Sequence, residues 1–405
     1  MRSRARGLLV GAGPAVLVAM LACNSLIGLQ QPVQGAPDAD MDADDVASRP
    51  PPDPELEGSA TDTTDTPCTD GLASCAGACV DLASSADNCG VCGHACLGAP
   101  CVGGRCTPQT LQTPSPARAI VATANVLYVM TDDQLLVTEM TSSNSVAALF
   151  PLTPVLTVDG GALRALTPSP SGLPPGALVA VAPGDALEQV PITYTDSTLL
   201  ADAGNLVVLA SSGQTVFWAS DTPDASAPAI MALTPPGPPE VKVPLEPWDE
   251  PCSLAANADG VFWTGARGTW VALSGGGPLA LISSQAFDRG IAPLGGHRVA
   301  VADDDGLTIY SVGPSPALLA TPFVGSIDTV VAPASQIFFV SGGALYGLSV
   351  GLADVGTPTF LAAASVPDGC DAPVVAFLSP FVVWIDAATG ALGYVSADLP
   401  AGTSQ

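Results

Sequence analysis

The sequence predicts an all-β protein: a β-propeller of about seven blades, preceded by a small disulfide-rich module and a disordered acidic linker. Three observations carry this prediction. A strand pattern recurs about every 43 residues, eight of the eleven cysteines lie within residues 68–106, and the segment before them is rich in acids and proline. We divide the chain into a signal peptide, a tether, the module and the propeller, at 1–22, 23–67, 68–107 and 110–402.

The first 22 residues have the pattern of a secretory signal. Arginines at positions 2, 4 and 6 precede an uncharged, mostly apolar run that ends at Ala22. The run is shorter than the roughly 20 residues that a membrane-spanning helix needs, and Gly11, Gly13 and Pro14 weaken its middle. Because no two arginines are adjacent, we expect export by the Sec route rather than the twin-arginine route.

The residues around Cys23 resemble the lipobox of bacterial lipoproteins, which signal peptidase II cuts before a diacylglyceryl-modified cysteine. Met20-Leu21-Ala22-Cys23 fits that motif at its last two positions and departs at the first, where Met20 replaces leucine. The resemblance implies lipidation of Cys23, which would anchor the protein to the cell envelope, at the outer membrane or cell surface, without spanning the membrane. The alternative is an ordinary signal peptide followed by an incidental cysteine.

The segment after Cys23 is predicted to be a disordered tether. Between Asp38 and Asp65 it contains ten acidic residues and one basic residue, Arg49, and residues 24–67 include no aromatic side chain. Such a segment buries too little apolar surface to offset the entropy of ordering it. As a flexible coil, its 44 residues separate their ends by roughly 35 to 40 Å, so the folded part would stand clear of the membrane.

The cysteines predict disulfides in an oxidising compartment, because a module of about 40 residues has too little core to fold without them. Sequence does not choose among the 105 pairings that eight cysteines allow. A zinc site formed by Cys89, Cys92, Cys96 and His94 is the alternative; we predict no metal and no other cofactor. The expected disulfide cysteines are Cys68, Cys75, Cys79, Cys89, Cys92, Cys96, Cys101 and Cys106, with Cys252 and Cys370 as a further candidate pair.

The passage CVDLASSADNCGVCGHAC, residues 79–96, resembles a small cysteine-rich repeat of secreted myxobacterial proteins. In that repeat a Cys-Val-Asp stretch is followed by Asn-Cys-Gly, a second Cys-Gly and a closing Gly-x-Cys. The resemblance covers about a tenth of the chain. It implies an extracellular setting and no chemistry. The matching residues are Cys79, Val80, Asp81, Asn88, Cys89, Gly90, Cys92, Gly93, Cys96, Gly104 and Cys106.

Beyond residue 110, short apolar runs alternate with turn-forming residues, and one kind of run recurs. From Tyr128 to Trp384 there are six intervals of about 43 residues, each able to hold four short strands. We expect each run to be the first strand of its unit. Six or eight blades and paired β-sandwiches remain alternatives. The runs are NVLYV (125–129), ALVAV (177–181), TVFWA (215–219), GVFWT (260–264), RVAVA (298–302), QIFFV (336–340) and FVVWI (381–385).

These units are similar to the degenerate propeller repeats of bacterial surface lipoproteins, over roughly 290 residues. Trp218, Trp263 and Trp384 occupy one repeat position, which predicts packing between blades rather than a ligand cage. Asp303-Asp304-Asp305-Gly306 contains acids suited to calcium, but Asp-Gly between two apolar strands is typical of a hairpin turn. The alternating acids and final glutamate of an EF-hand loop are missing from it.

Catalysis has little support in the sequence. A Ser-His-Asp arrangement would have to use His297, which lies in a turn-like Leu-Gly-Gly-His-Arg-Val stretch, because His94 lies within the cysteine module. The chain has no Gly-x-Ser-x-Gly elbow, His-Glu-x-x-His motif or phosphate loop. We assign no catalytic residue and lean towards a protein that is not an enzyme, although paired carboxylates of the glycosidase type are not excluded.

The net charge of the chain restricts the kinds of molecule that it can bind. Without the signal peptide, eight basic residues oppose 38 acidic ones, a net charge of about −30. Nucleic acid and anionic surfaces are repelled, whereas a protein or glycan ligand on a propeller face is compatible. We therefore expect a lipid-anchored envelope protein whose propeller is a binding or scaffolding surface. An envelope carbohydrate lyase or hydrolase and a structural surface-matrix protein are the alternatives.

Overall fold

A computed structural model gives the fold of most of the chain from Cys68 onward. It describes residues 68, 71–123, 125–143, 146–149, 152–157, 162–169, 171, 173, 176–182, 186–191, 198–202, 206–220, 228–246, 249, 251–285, 289–333, 335–351, 354–367 and 373–397. The expected signal peptide and tether, residues 1–22 and 23–67, lie outside these residues, as do Cys23 and Cys370. β-Strands are the only long regular elements of the described residues, which include no helix with the length and hydropathy of a membrane span.

The disulfide-rich module contains two short hairpins and four disulfides. The bonds join Cys68 to Cys79, Cys75 to Cys92, Cys89 to Cys101 and Cys96 to Cys106, with Cα–Cα distances of 5.2 to 5.6 Å. The paired strands are β1 (Ala73–Cys75) with β2 (Ala78–Val80) and β3 (Cys101–Val102) with β4 (Arg105–Cys106).

The structure explains why two positions of the cysteine-rich repeat are glycines. Gly90 and Gly104 both adopt positive φ angles, +76° in each case, and their backbones touch. A side chain on Gly90 would collide with the carbonyl oxygen of Gly104, so only glycine fits there. The two residues also bind neighbouring carbonyls, since the N–H of Gly90 donates to Leu82 and that of Gly104 donates to Ala83.

Seven antiparallel sheets follow in chain order, which is the arrangement of a seven-bladed propeller. In blades 2 to 6 the four strands pair in the order in which they occur in the sequence. Blade 1 is the irregular one of the first three blades, because its outer edge is divided between two strands. Blade 1 has β6 (Ala119–Thr123), β7 (Val126–Met130), β8 (Gln134–Ser143), β9 (Val146–Leu149) and β10 (Thr153–Thr157); blade 2 has β11 (Ala162–Pro168), β12 (Gly176–Ala182), β13 (Ala186–Pro191) and β14 (Thr198–Asp202); blade 3 has β15 (Leu206–Ser212), β16 (Thr215–Ser220), β17 (Ala229–Leu233) and β18 (Glu240–Pro244).

The last four blades are more regular, and the seventh closes the ring. Its outer strand is β5 (Gln109–Leu111), which precedes blade 1 in the chain and pairs with β33. The strands are β19 (Ser253–Asn257), β20 (Gly260–Gly265), β21 (Gly268–Leu273) and β22 (Ala280–Ser283) in blade 4; β23 (Gly290–Leu294), β24 (Arg298–Ala302), β25 (Gly306–Ser311) and β26 (Leu318–Val324) in blade 5; β27 (Thr329–Val331), β28 (Gln336–Ser341), β29 (Ala344–Ser349) and β30 (Thr359–Ala363) in blade 6; and β31 (Val375–Leu378), β32 (Phe381–Ile385) and β33 (Leu392–Ser396) in blade 7.

The predicted propeller is therefore confirmed with seven blades, and six blades, eight blades and β-sandwiches are wrong. Each recurring apolar run forms the second strand of its blade, not the first, so the expected strand order within the unit is corrected. The second strands lie inside the sheets and are covered on both faces by neighbouring blades. In β7, β20 and β32 every residue is buried, which requires a continuous apolar sequence.

The core lies between the blades, as the tryptophan positions predict. Trp218 and Trp263 are almost completely buried. Trp218 of blade 3 packs in a cluster with Ala165 and Leu187 of blade 2. Trp263 of blade 4 packs with Ile230 of blade 3. The repeated tryptophans thus hold neighbouring blades together, and none of the three lines the central channel.

Candidate ligand-binding surface

The first strands of the blades surround a central channel with a cavity of about 410 Å³. Their side chains are mostly small aliphatic groups, with a few hydroxyls from Thr167, Ser211, Ser253 and Thr329. Consecutive residues of several first strands line this cavity, among them residues 165–168, 208–211 and 253–256. A cavity of this size and mixed character suits a small polar molecule or an inserted side chain.

Arg289 stands at one mouth of the channel, directly before the first strand of blade 5. Its Nε atom lies 2.9 Å from Oδ1 of Asp304, and its Nη1 atom lies 3.6 Å from Oδ1 of Asp328. Ser326 also donates to Asp304. Within the described lining of the channel, Arg289 is the one ionisable side chain. Both of its ion-pair partners are carboxylates, so it joins blade 5 to the start of blade 6 rather than offering a free charge.

This mouth opens on a face that we call the acidic face. It is formed by the turns between second and third strands and by the connections between blades, which meet at one end of an antiparallel propeller. Among the described residues these loops contain nine acids and three arginines. The acids are Asp132, Asp133, Glu246, Asp249, Asp303, Asp304, Asp305, Asp328 and Asp386; the arginines are Arg118, Arg267 and Arg289.

The three consecutive aspartates of the acidic face have separate structural tasks. Oδ1 of Asp303 accepts hydrogen bonds from the backbone N–H groups of Asp305 and Gly306, at 2.7 Å each. Asp304 pairs with Arg289, and Oδ2 of Asp305 accepts a 3.0 Å hydrogen bond from Gln285. The three carboxylates face different partners instead of converging. The arrangement agrees with a hairpin turn rather than a calcium site.

A second cavity, of about 550 Å³, lies on the same face where blades 7, 1 and 2 meet. Arg118 and Asp132 line it and form an ion pair with an Nε–Oδ1 distance of 2.7 Å and an Nη2–Oδ2 distance of 3.1 Å. Arg164 and Asp386 contribute further charges. Because the Arg118–Asp132 pair is exposed, it adds little stability and leaves both groups accessible to a ligand.

Asp249 is the least exposed carboxylate of the acidic face, with 8% of its surface accessible. It lies in the connection from blade 3 to blade 4. Burial raises the pKa of this carboxyl, and Trp263 and Arg267 oppose the shift. Neither Oδ1 of Asp249 nor Nε1 of Trp263 has a hydrogen-bond partner. Desolvation of the buried carboxyl therefore decides the direction in which the pKa of Asp249 shifts.

The opposite face contains the sequence's candidate catalytic histidine. His297 lies in the turn between β23 and β24, with a φ of +56°, and its Nδ1 atom is 2.5 Å from Oδ1 of Asp259. Asn257 donates to the other carboxylate oxygen at 3.2 Å. No serine or threonine hydroxyl of the described residues bonds to His297. The structure thus supplies a His–Asp pair that links blades 4 and 5 without the nucleophile that a hydrolase triad requires.

The zinc alternative conflicts with the disulfides. The Sγ atoms of Cys89, Cys96 and Cys106 lie within 4.8 Å of one another, but each sulfur is in a disulfide and has no thiolate to offer. Nδ1 of His94 is 2.7 Å from the carbonyl oxygen of Cys89. This histidine therefore fastens a loop of the module.

Two predictions about cysteines, a Cys252–Cys370 disulfide and the lipidation of Cys23, involve residues outside the described part of the chain. Cys252 is disulfide-bonded and stands just before the first strand of blade 4. Its expected partner Cys370 and the expected lipidation site Cys23 both lie outside the described residues. The Cys252–Cys370 bond and the lipidation therefore stay predictions.

Sequence reasoning missed Arg289, Asp249 and Asp259 as interacting residues. Asp259 belongs to an Asn-Ala-Asp-Gly stretch that indicates a turn and nothing more. Arg289 and its partner Asp328 are on different blades. No local sequence pattern indicates the contacts or the burial of these groups, because each depends on how two blades pack together.

No family model and no curated protein matches the chain. Solved structures with a similar course of the chain include three with 9 to 12% sequence identity. They are the nidogen/laminin complex (9% identity, 58% of this chain and 92% of that chain, TM-score 0.42), the AfRom2 CNH domain (10%, 73% and 100%, 0.46) and the β-propeller domain of Cps50 (Swd1) from Myceliophteria thermophila (12%, 72% and 99%, 0.49).

Proposed function

We propose that this chain is a cell-envelope lipoprotein that displays its propeller as a non-catalytic binding or scaffolding surface. The observation that carries the binding role is the described lining of the central channel. Its one ionisable side chain, Arg289, is engaged by Asp304 and Asp328. Acid–base catalysis needs a group that is free to exchange a proton with a substrate, whereas binding needs only shape, hydroxyls and backbone groups.

The envelope location rests on the sequence before the module. The lipobox-like Met20-Leu21-Ala22-Cys23 supports a lipid anchor at Cys23. Stable anchoring takes more than one acyl chain, at about 0.8 kcal/mol for each buried methylene, and a triacylated cysteine meets that condition. The tether then holds the module and the propeller away from the bilayer, at the outer membrane or cell surface.

The acidic face suits a protein or glycan ligand of neutral or positive charge. A mature chain with a net charge of about −30 repels nucleic acid. The channel mouth and the cavity beside Arg118 open on the same face, so one ligand can contact both. We place ligand binding there.

The anchor is tested by intact mass and cell fractionation of the native protein beside a Cys23→Ser variant. We expect the native protein to begin at Cys23, to carry a diacylglycerol and a further acyl chain, and to pellet with membranes, while the variant stays soluble. If both proteins begin elsewhere and remain soluble, the anchor proposal is wrong and the protein is freely secreted.

The binding role is tested with polysaccharide isolated from the envelope of the producing cells. We expect the polysaccharide to retain the native protein in a sedimentation assay and to release no new reducing ends. Arg118→Ala, at an exposed side chain of the cavity on the acidic face, should change retention, whereas Arg298→Ala on the opposite face should not. Release of reducing ends would favour the hydrolase alternative, and equal effects of both variants would contradict binding at the acidic face.

A further inference from the structure

The outer strands of blades 4 and 5 expose apolar side chains that nothing in the described structure covers. We call this surface the blade 4–5 wall and define it as the exposed residues of β22, β26 and the residue before β22. Their accessible fractions run from 42% to 82%. The members are Leu279, Leu281, Leu318, Leu319 and Val324. Among the described residues, five of the seven exposed large apolar residues of the propeller therefore lie on two adjacent blades.

On blade 6, a comparable apolar outer strand is covered by another part of the chain. Its outer strand β30 is covered by the disulfide-rich module, and the guanidinium of Arg105 lies 4.2 Å from the ring centre of Phe360. Leu361 is buried in one cluster with cysteines of the module. An apolar outer strand is thus buried where a neighbouring unit packs on it, and the blade 4–5 wall is the equivalent surface without that neighbour.

The wall also lacks charge in a strongly acidic chain. Two stretches of 20 and 22 residues, 268–287 and 306–327, contain no Asp, Glu, Lys or Arg, although these make up 12% of the chain. They include the outer two strands of blades 4 and 5. On the acidic face, carboxylates would repel another copy of the protein. The outer strands of this wall bring no charged residue of their own to a contact.

We propose that the blade 4–5 wall is the contact surface between two copies of this chain, which pair about a two-fold axis. The same uncharged apolar patch then faces itself, as an isologous contact requires. Pro322 interrupts the open edge of β26, so the contact is made by side chains rather than by continuous strand pairing. A bilayer fits this surface less well, because the wall has no exposed tryptophan or tyrosine and no cation for lipid headgroups.

Sedimentation velocity of the exported full chain with Cys23→Ser tests this contact without acyl chains or detergent. We expect a monomer–dimer equilibrium that strengthens as salt rises from about 0.05 to about 0.5 M, because salt screens the repulsion between the acidic copies. Leu319→Lys with Val324→Lys should raise the dissociation constant by at least about tenfold. The matched control, Val102→Lys with Leu199→Lys, adds the same charge at residues that are 67% and 64% exposed outside the wall.

A protein that stays monomeric at all concentrations and salt levels overturns the proposal. Equal weakening by the wall variant and the control also overturns it, since overall charge would then explain the effect. Monomers that float with phosphatidylcholine vesicles, and lose flotation in the wall variant, would assign the wall to the membrane instead. The test does not depend on the lipid anchor, which is measured by the mass and fractionation of the native protein.

Discussion

Tyr394 donates a 2.7 Å hydrogen bond from its hydroxyl to Oε1 of Gln109, a residue 285 positions earlier in the chain. Tyr394 lies on the last strand of blade 7, and Gln109 begins β5, which completes that blade. The ring of Tyr394 also packs edge to face on Phe381, with centroids 5.3 Å apart. This contact therefore belongs to the closure of the propeller, where the two ends of the blade repeat meet.

Tyr394→Phe should weaken the closure while keeping the aromatic packing. We expect the free energy of unfolding to fall by about 1 kcal/mol, since the variant loses one hydrogen bond and leaves the Gln109 amide without its partner. Urea unfolding measures the change. Tyr310→Phe is the control, because the structure gives that half-buried hydroxyl no hydrogen bond among the described residues, and an equal loss there would contradict the closure role.

Alkaline pH should destabilise the native protein through the same tyrosine. Burial raises the pKa of Tyr394 above its ordinary value of 10.0. As pH rises through about 10, the unfolded chain loses the phenolic proton before the folded chain does, so stability falls up to the folded pKa. Unfolding at a series of pH values should show a decline above about pH 10 that is smaller in Tyr394→Phe. An identical decline in both proteins would contradict this assignment.

Gly393→Ala should be among the most damaging single changes in blade 7. Gly393 pairs with Trp384 across the sheet, and an added methyl group would collide with the indole ring. Because Trp384 is buried among other core residues, it has no room to withdraw, and we expect a loss of about 3 kcal/mol. Thermal melting measures it. Gly275→Ala, where the space around the residue is open, should change the melting temperature far less.

Asp249→Asn should stabilise the protein at neutral pH. In the folded chain, burial raises the pKa of Asp249 above 3.8, so the folded state binds this proton more tightly than the unfolded state. Stability is therefore lost as pH rises from the unfolded to the folded pKa and stays lower above it. We expect a gain of about 1 kcal/mol at neutral pH that shrinks in acid. The control is Asp354→Asn, an exposed carboxylate. A gain that does not change with pH would contradict the burial argument.

Removal of the Cys96–Cys106 disulfide should destabilise the propeller as well as the module. Both cysteines are buried in the same cluster as Trp384 and Leu392 of blade 7, and Cys106 is three residues before β5. Replacement of both by alanine should cost about 3 kcal/mol, and it should lower the melting temperature of the propeller. Loss of Cys68–Cys79, which is outside this cluster, should affect the propeller less. Equal effects would mean that the module and the propeller unfold together whichever bond is removed.

The accuracy of the sequence prediction differed between strands for a physical reason. The second strand of each blade is covered on both faces, so its residues are almost all apolar, and the run from Phe381 to Ile385 identifies it without further information. A first strand such as Ser253–Asn257 lies along the channel, and every one of its residues is only partly buried. Its sequence is less distinctive, and the order of strands within the unit was therefore predicted incorrectly.

The sequence predicted the residues of the candidate site less well than it predicted the fold. Asp303 and its neighbours form the expected hairpin turn because the Asp-Gly signal is local. The ion pairs of Arg289 with Asp304 and Asp328 join residues 15 and 39 positions apart, and the buried Asp249 lies in a connection between two blades. No periodicity or motif in the sequence indicates contacts between residues that lie this far apart in the chain.

The sequence by itself determined that the chain is all β, that an apolar run recurs about every 43 residues, and that a cysteine-rich module precedes the repeats. These properties follow from local patterns, since the burial of a strand selects its own residues. Only the tertiary structure decided that the blades number seven, that β5 closes blade 7, which of the 105 cysteine pairings the module adopts, and that the nine carboxylates of the described acidic face lie on one side of the propeller. The cysteine pairing depends on how the module folds. The closure and the shared face depend on contacts between residues that are distant in the chain, which arise only when the ring of blades is complete.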